Sequence, residues 1–182
     1  MSNTHTGLPI TSSRIEQIFP KLTPAQIRRI TAHGHVREVQ RGEVLVEQGD
    51  SAVPFLVVIS SELEIVLPSG AAETLVTVHG SGQFTGEVNM LSGRRSLFRV
   101  RAIKQGKVIE LDRTHMMTLV QTDAELGEIL MRAFILRRVE LVAAGVGDVV
   151  LIGSTHSIGT LRIRVSDAQW APLLLHRSRT RP

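Results

Sequence analysis

The 182-residue chain contains no cysteine. Disulfides, thiol nucleophiles and cysteine-ligated metals are excluded from it by that fact. Tyrosine is missing too, and five Phe with one Trp are all the aromatic rings it has. Stacking platforms for single-stranded nucleic acid are hard to build from so few. No apolar run approaches the roughly 20 residues that a membrane-crossing helix needs. The nearest, Ala133 to Val146, is broken by Arg137 and Arg138. The opening MSNTHTGLPITSS lacks the basic start and apolar centre of a secretion signal. The expected location is therefore the cytoplasm, with no membrane partner.

Catalytic and metal-binding patterns are equally sparse. The seven histidines include His33 and His35 on either side of Gly34, and none belongs to an H-E-x-x-H pair. His156 lies between Ser154 and Ser157, but no G-x-S-x-G turn surrounds either serine. No metal site and no catalytic residue is expected, and the chain is read as a non-enzyme.

What is present suits a folded domain. Hydrophobic residues make up 42% and charged residues 21%, enough for a packed core under an ordinary surface. The positive excess is confined to the end: residues 161–182 hold five arginines against one acid, Asp167, which accounts for the whole net charge of +4. Residues 1–160 are balanced. Such a terminus reads as solvated rather than as a DNA surface, so no specific DNA binding is expected.

The chain in order gives a leader over 1–13, a domain over 14–143 and a strand with a basic tail over 144–182. Thr23-Pro24-Ala25-Gln26 is a helix start, with Thr23 as N-cap, Pro24 in the first turn and Gln26 closing a capping box. That helix should stop at Gly34. From Val36 the hydrophobic period drops to 2. Short strands are expected at Val44–Val46, Phe55–Ile59, Leu63–Val66, Leu75–Val78, Leu97–Ile103 and Val108–Leu111, separated by turn residues such as Pro68-Ser69-Gly70 and Gly80-Ser81-Gly82. Strands this short and evenly spaced argue for a jelly-roll barrel (a double-stranded β-helix) spanning about Val36–Leu111. Helix returns at Asp112. A second capping box, Thr122-Asp123-Ala124-Glu125, should start a helix reaching about Ala143, with Leu126, Ile129, Leu130, Ala133 and Phe134 on its apolar face. The fold class is mainly β with flanking helices.

Residues 80–102, GSGQFTGEVNMLSGRRSLFRVRA, concentrate the chemistry. Glycine admits close backbone approach, and successive N–H groups at a helix start attract anions. Arginine can clamp a phosphate and a hydroxyl can add a donor, whereas a carboxylate accepts from sugar hydroxyls.

This segment resembles the phosphate-binding cassette of cyclic-nucleotide-binding domains, the catabolite-activator and kinase-regulatory-subunit superfamily. Arg41-Gly42-Glu43-Val44-Leu45, Glu47-Gln48-Gly49-Asp50 and Phe55-Leu56-Val57-Val58 are similar to that family's early strands. The resemblance covers about residues 20–142. It implies a regulatory module that binds cyclic AMP or a related small anion, with no other cofactor in this chain. Phe84 and Gly86 would shape the site, and the backbone amides of Gly86, Glu87 and Val88 would face the phosphate. Glu87 would accept from the ribose 2′-hydroxyl, Arg95 would neutralise the phosphate, and Ser96 would add a donor. Glu87 to Arg95 is one residue shorter than the family's usual spacing, so an alignment on Val100-Arg101-Ala102 puts Ser96 in the arginine column. A slip of one residue on a strand reverses a side chain's face. The alternative is a barrel that keeps the fold without the nucleotide, with Glu87 capping the short helix. The C-terminal helices correspond to the family's hinge and lid, and imply Phe134 and Arg138 over the base. They also imply a homodimer through the long helix.

Residues 147–162, a compact strand followed by Ser154 and a helix-like start, resemble the junction that precedes a thioredoxin-reductase-like flavin oxidoreductase in bacteria. The second functional expectation is thus the regulatory front of such an enzyme, its catalytic part absent from this chain.

Overall fold

The computed structural model describes residues 12–143. The expected strand and tail over 144–182, and the leader up to residue 11, lie outside the described residues.

A helical entry comes first. Helix α1 (Ser12–Ile18) is followed by α2 (Pro24–Thr31), which starts as its sequence dictates. The Thr23 hydroxyl accepts from the Gln26 amide at 3.3 Å, and the Gln26 side chain accepts from the Thr23 amide at 2.8 Å. Gln26 and Ile30 are its buried residues.

Eight strands follow: β1 (His35–Val39), β2 (Val44–Val46), β3 (Phe55–Val58), β4 (Glu62–Ser69), β5 (Ala72–His79), β6 (Phe84–Thr85), β7 (Arg99–Lys104) and β8 (Gly106–Leu111). They form two four-stranded antiparallel sheets, ordered β1-β8-β3-β6 and β2-β7-β4-β5. The jelly-roll topology expected from the strand spacing is present, as two facing sheets rather than a closed barrel. The β4–β5 hairpin is longer than its apolar residues suggest, because exposed Glu73 and Thr74 extend the ladder beyond Leu75.

One strand explains the layering. All four residues of β3 are buried. Alternation sends Phe55 and Val57 to one face and Leu56 and Val58 to the other. The first pair joins Ile109, Leu111 and the helical residues Ile30, Met116, Leu119, Leu126 and Leu130. The second pair joins Val46, Leu63, Ile65, Val100 and Ala102 of the opposite sheet. The β3 sheet is therefore the middle layer, with helices on one side and the second sheet on the other.

A six-residue helix, α3 (Glu87–Ser92), bridges β6 and β7. Helix α4 (Arg113–Thr122) is capped by Asp112, whose carboxylate accepts from the His115 amide at 2.9 Å. Helix α5 (Ala124–Ala143) completes the described chain. Its cap differs from the expected one. Thr122 ends α4 and its hydroxyl donates to the Thr118 carbonyl, while Asp123 accepts from the Leu126 amide at 3.0 Å. Asp123 wins because it also receives Arg29 Nε at 2.6 Å, which ties α2 to the α4–α5 corner.

Candidate functional site: the α3 cassette

The cassette begins where β6 ends. Phe84 is fully buried with its ring centroid 5.5 Å from that of Phe55. The next turn needs Gly86, which has φ 98° and lies directly beneath the Pro54 carbonyl. A Cβ at this position would stand 2.1 Å from Pro54 O and 3.0 Å from Phe55 Cα. Glycine thus permits both the left-handed turn and the close approach that point α3 into the molecule. Gly93, also left-handed with φ 67°, closes α3 at its other end without any such close approach.

Glu87, the first residue of α3, is fully buried. Its Oε1 accepts from Arg137 Nη1 of α5 at 2.7 Å. The same Nη1 donates to the Phe84 carbonyl at 3.0 Å, and Arg137 Nε donates to the Ile18 carbonyl at 2.8 Å. The guanidinium carbon lies 4.8 Å from the Phe84 ring centroid and 5.1 Å from that of Phe19. One arginine therefore joins α1, β6, α3 and α5. A planar guanidinium can do this because it donates in several directions and stacks on rings.

His79 belongs to the same cluster. It ends β5, is 2% exposed, and its ring centroid is 5.7 Å from that of Phe19. Burial, and secondarily the Arg137 charge, push its pKa down to about 3, so the imidazole is neutral. Three buried polar atoms here lack hydrogen-bond partners: His79 Nδ1, Glu87 Oε2 and Arg137 Nη2.

The second half of the cassette faces two ways. Arg95 is exposed and its Nη1 donates to the Gly49 carbonyl at 2.8 Å. Ser96 is buried. Its amide donates to Asp50 O and its carbonyl accepts from the Gly49 amide, both at 2.8 Å. Its hydroxyl donates to Phe98 O at 2.8 Å. The segment before β7 thus leaves Ser96 facing inward and Arg95 at the rim.

Beneath α3 lies a cleft whose lining includes Val46, Ile65, Gly86, Ser96, Phe98 and Val100, with a volume of about 20 Å³. Val88 is half-buried, as are Phe134 and Arg138 on α5, and none of these three lines the cleft. The structure therefore brings Phe84, Gly86 and Glu87 together around Arg137, sets Ser96 in the cleft, and leaves Arg95 outside it. Arg137 is the residue that sequence reasoning missed. Its signal is the spacing Leu126, Leu130, Ala133, Arg137, which puts it on the buried stripe of α5.

Comparison with known proteins agrees with this architecture. Residues 36–123 match the family model of the cyclic nucleotide-binding domain. That match spans 88 of the 182 residues, just under half of the chain, and includes the whole α3 cassette. Potassium channel AKT1 of rice is 29% identical over 93 residues, 51% of this chain and 10% of the channel. The protein Rv0104 of Mycobacterium tuberculosis is 28% identical over 153 residues, 81% of this chain and 29% of that protein. The chain thus spans a tenth to under a third of the length of these relatives.

Among solved structures, the catabolite activator protein of Thermus thermophilus superposes with a TM-score of 0.57 at 19% identity, covering 71% of this chain and 60% of that one. The c-di-GMP responsive regulator CLP of Xanthomonas campestris also gives 0.57, at 23% identity, covering 68% and 63%. At these identities the likeness is one of fold.

Proposed function

We propose that the domain is a sensory module in which the α3 cassette takes a cyclic nucleotide or a related small phosphorylated anion. The observation that carries this reading is the Gly86 turn under Pro54, which aims α3 and Glu87 at the interior between the sheet and α5. The family match supports it, as do the descriptions of two similar proteins, a regulator responsive to c-di-GMP and a protein from a cyclic-GMP-dependent signalling pathway.

A cleft of about 20 Å³ holds no nucleotide, Arg95 is engaged by Gly49 O, and Ser96 by Phe98. Binding in this reading displaces α3 outward and turns Arg95 from the Gly49 carbonyl to the phosphate, an exchange of one charge-assisted hydrogen bond for a stronger one. Glu87 has a carboxylate oxygen to spare, since Oε2 is unpartnered while Oε1 holds Arg137. A ribose hydroxyl at Oε2 would be registered at once by α5. The module would act without chemistry of its own, and α5 would carry the signal onward. Met131, Ile135 and Val139, all exposed along one side of α5, form the surface on which two copies would pair. The oxidoreductase context expected from residues 147–162 concerns residues outside those described and enters no step here.

Calorimetric titration of the intact chain with cyclic AMP, cyclic GMP and c-di-GMP tests the reading. One of them should bind, Arg95→Ala should weaken it about tenfold, and Arg94→Ala should leave it unchanged. Glu87→Gln should cost more affinity for the ribonucleotide than for its 2′-deoxy analogue. Absence of binding at millimolar concentration for all three would refute it.

A further inference from the structure

We propose that the groove between α3, the start of α4 and the beginning of β1 is a second ligand site, separate from the cassette, which takes a small amphiphilic organic anion: an apolar body carrying one carboxylate, sulfonate or phosphate. The groove measures about 750 Å³. That lies in the range of small-molecule sites, roughly 300–1,000 Å³.

Its chemistry is divided. Val53, Pro54, Met90 and Leu111 supply apolar surface, and the polar lining includes His33, His35, Glu110, Asp112, Arg113 and His115. The acids are committed. Asp112 caps α4 and faces His115 Nδ1 at 2.9 Å, and Glu110 faces Arg37 at 3.8 Å. Among the described residues, Arg113, His33 and His35 have no side-chain hydrogen bond or ion pair. The unspent polar capacity of the groove is therefore one permanent cation and two imidazoles, set against an apolar surface. A carboxylate or phosphate on Arg113 with its hydrocarbon part against Met90 and Leu111 satisfies both halves.

Charge decides between occupants. The chain's own tail carries five arginines over 161–182 and would be repelled by Arg113. A free anion also meets the Glu110 and Asp112 carboxylates, but Glu110 is engaged by Arg37 and Asp112 by the His115 ring and amide, which leaves Arg113 to hold it. The groove shares Val53, Pro54 and Asn89 with the cleft beneath α3, but neither Gly86 nor Ser96 lines it. The two sites are neighbours with a common wall.

Fluorescence titration of the intact chain with 1-anilinonaphthalene-8-sulfonate, an anion with a large apolar body, tests the assignment. Saturable one-to-one binding is expected, with a rise in melting temperature because the probe favours the folded state. Arg113→Glu should weaken it about fivefold or more. A glutamate in the first helical turn is favourable, so this variant keeps the fold. Arg41→Glu makes the same charge change on an exposed turn and should alter affinity less than twofold. Ala52→Trp, which fills the groove, should abolish binding, whereas Arg95→Ala and millimolar cyclic AMP should leave it intact. Non-saturable binding, equal losses for Arg113→Glu and Arg41→Glu, retained affinity in Ala52→Trp, or displacement by cyclic AMP would each overturn the proposal. Because the cassette is read by nucleotide calorimetry and the groove by this probe, either can fail without the other.

Discussion

Gly86 shows how much a single position decides in this domain. Its φ of 98° disfavours any side chain, and a Cβ would strike the Pro54 carbonyl. Gly86→Ala should lower unfolding stability by about 2–4 kcal/mol, combining backbone strain with a steric clash. Gly70, also left-handed with φ 61°, has open space where its Cβ would be, so Gly70→Ala should cost about 1 kcal/mol. Urea denaturation of both variants separates strain from clash. His79 makes a second residue-scale case. Its folded pKa of about 3 lies below the ordinary 6.5 because burial, and then Arg137, oppose its charge. The unfolded state therefore takes up a proton that the folded state refuses. Stability should be full above pH 6.5 and fall by up to about 1.4 kcal/mol per unit as pH drops toward 3. Between pH 6.5 and 4.5 the carboxylates contribute little, so this window isolates the imidazole. In His79→Leu the slope across it should flatten.

At the scale of elements, capping residues and hydrophobic period make most boundaries readable. Thr23 and Gln26 start α2 in the structure as their spacing implies, and Asp112 caps α4. The cap of α5 falls one residue later than expected, on Asp123 and without a reciprocal partner, because a contact from Arg29 favours Asp123 and no local pattern contains that contact. The site was legible in part. Gly86 and Glu87 stand at the head of α3, but the partner of Glu87 was hidden. Arg137 read as an interruption in an apolar run, since an arginine is expected to be solvated unless a buried acid claims it. The same long-range logic governs how α5 docks. Arg137→Ala should destabilise by about 3–5 kcal/mol, because it strands the Glu87 carboxylate in the interior. The pair Arg137→Met with Glu87→Gln should lose less than the sum of the single changes. Thermal or urea unfolding of the four proteins measures that coupling.

On the scale of the whole molecule, the described chain is three layers: helices, the β3 sheet and the second sheet. Exposed Met131, Ile135 and Val139 recur every four residues on the outer side of α5. If two copies pair there, sedimentation should show a concentration-dependent dimer, and Ile135→Asp should leave a monomer of unchanged melting temperature. A chain that stays monomeric at high concentration removes this surface from the account.

The Arg137 bonds also set an order of events while the chain is being made. They reach back 50 residues to Glu87, 53 to Phe84 and 119 to Ile18. Both sheets are synthesised before α5, yet until α5 arrives the Glu87 carboxylate has no counter-ion and gains by staying in water. The strands can therefore pair early, while α3 cannot turn inward until some 50 further residues have left the ribosome. Contacts of such long sequence separation are slow to form. During synthesis the nascent domain should pass through a stage in which its sheets exist and its cassette stands open, a stage that protease sensitivity of α3 in a chain ending before Arg137 would reveal.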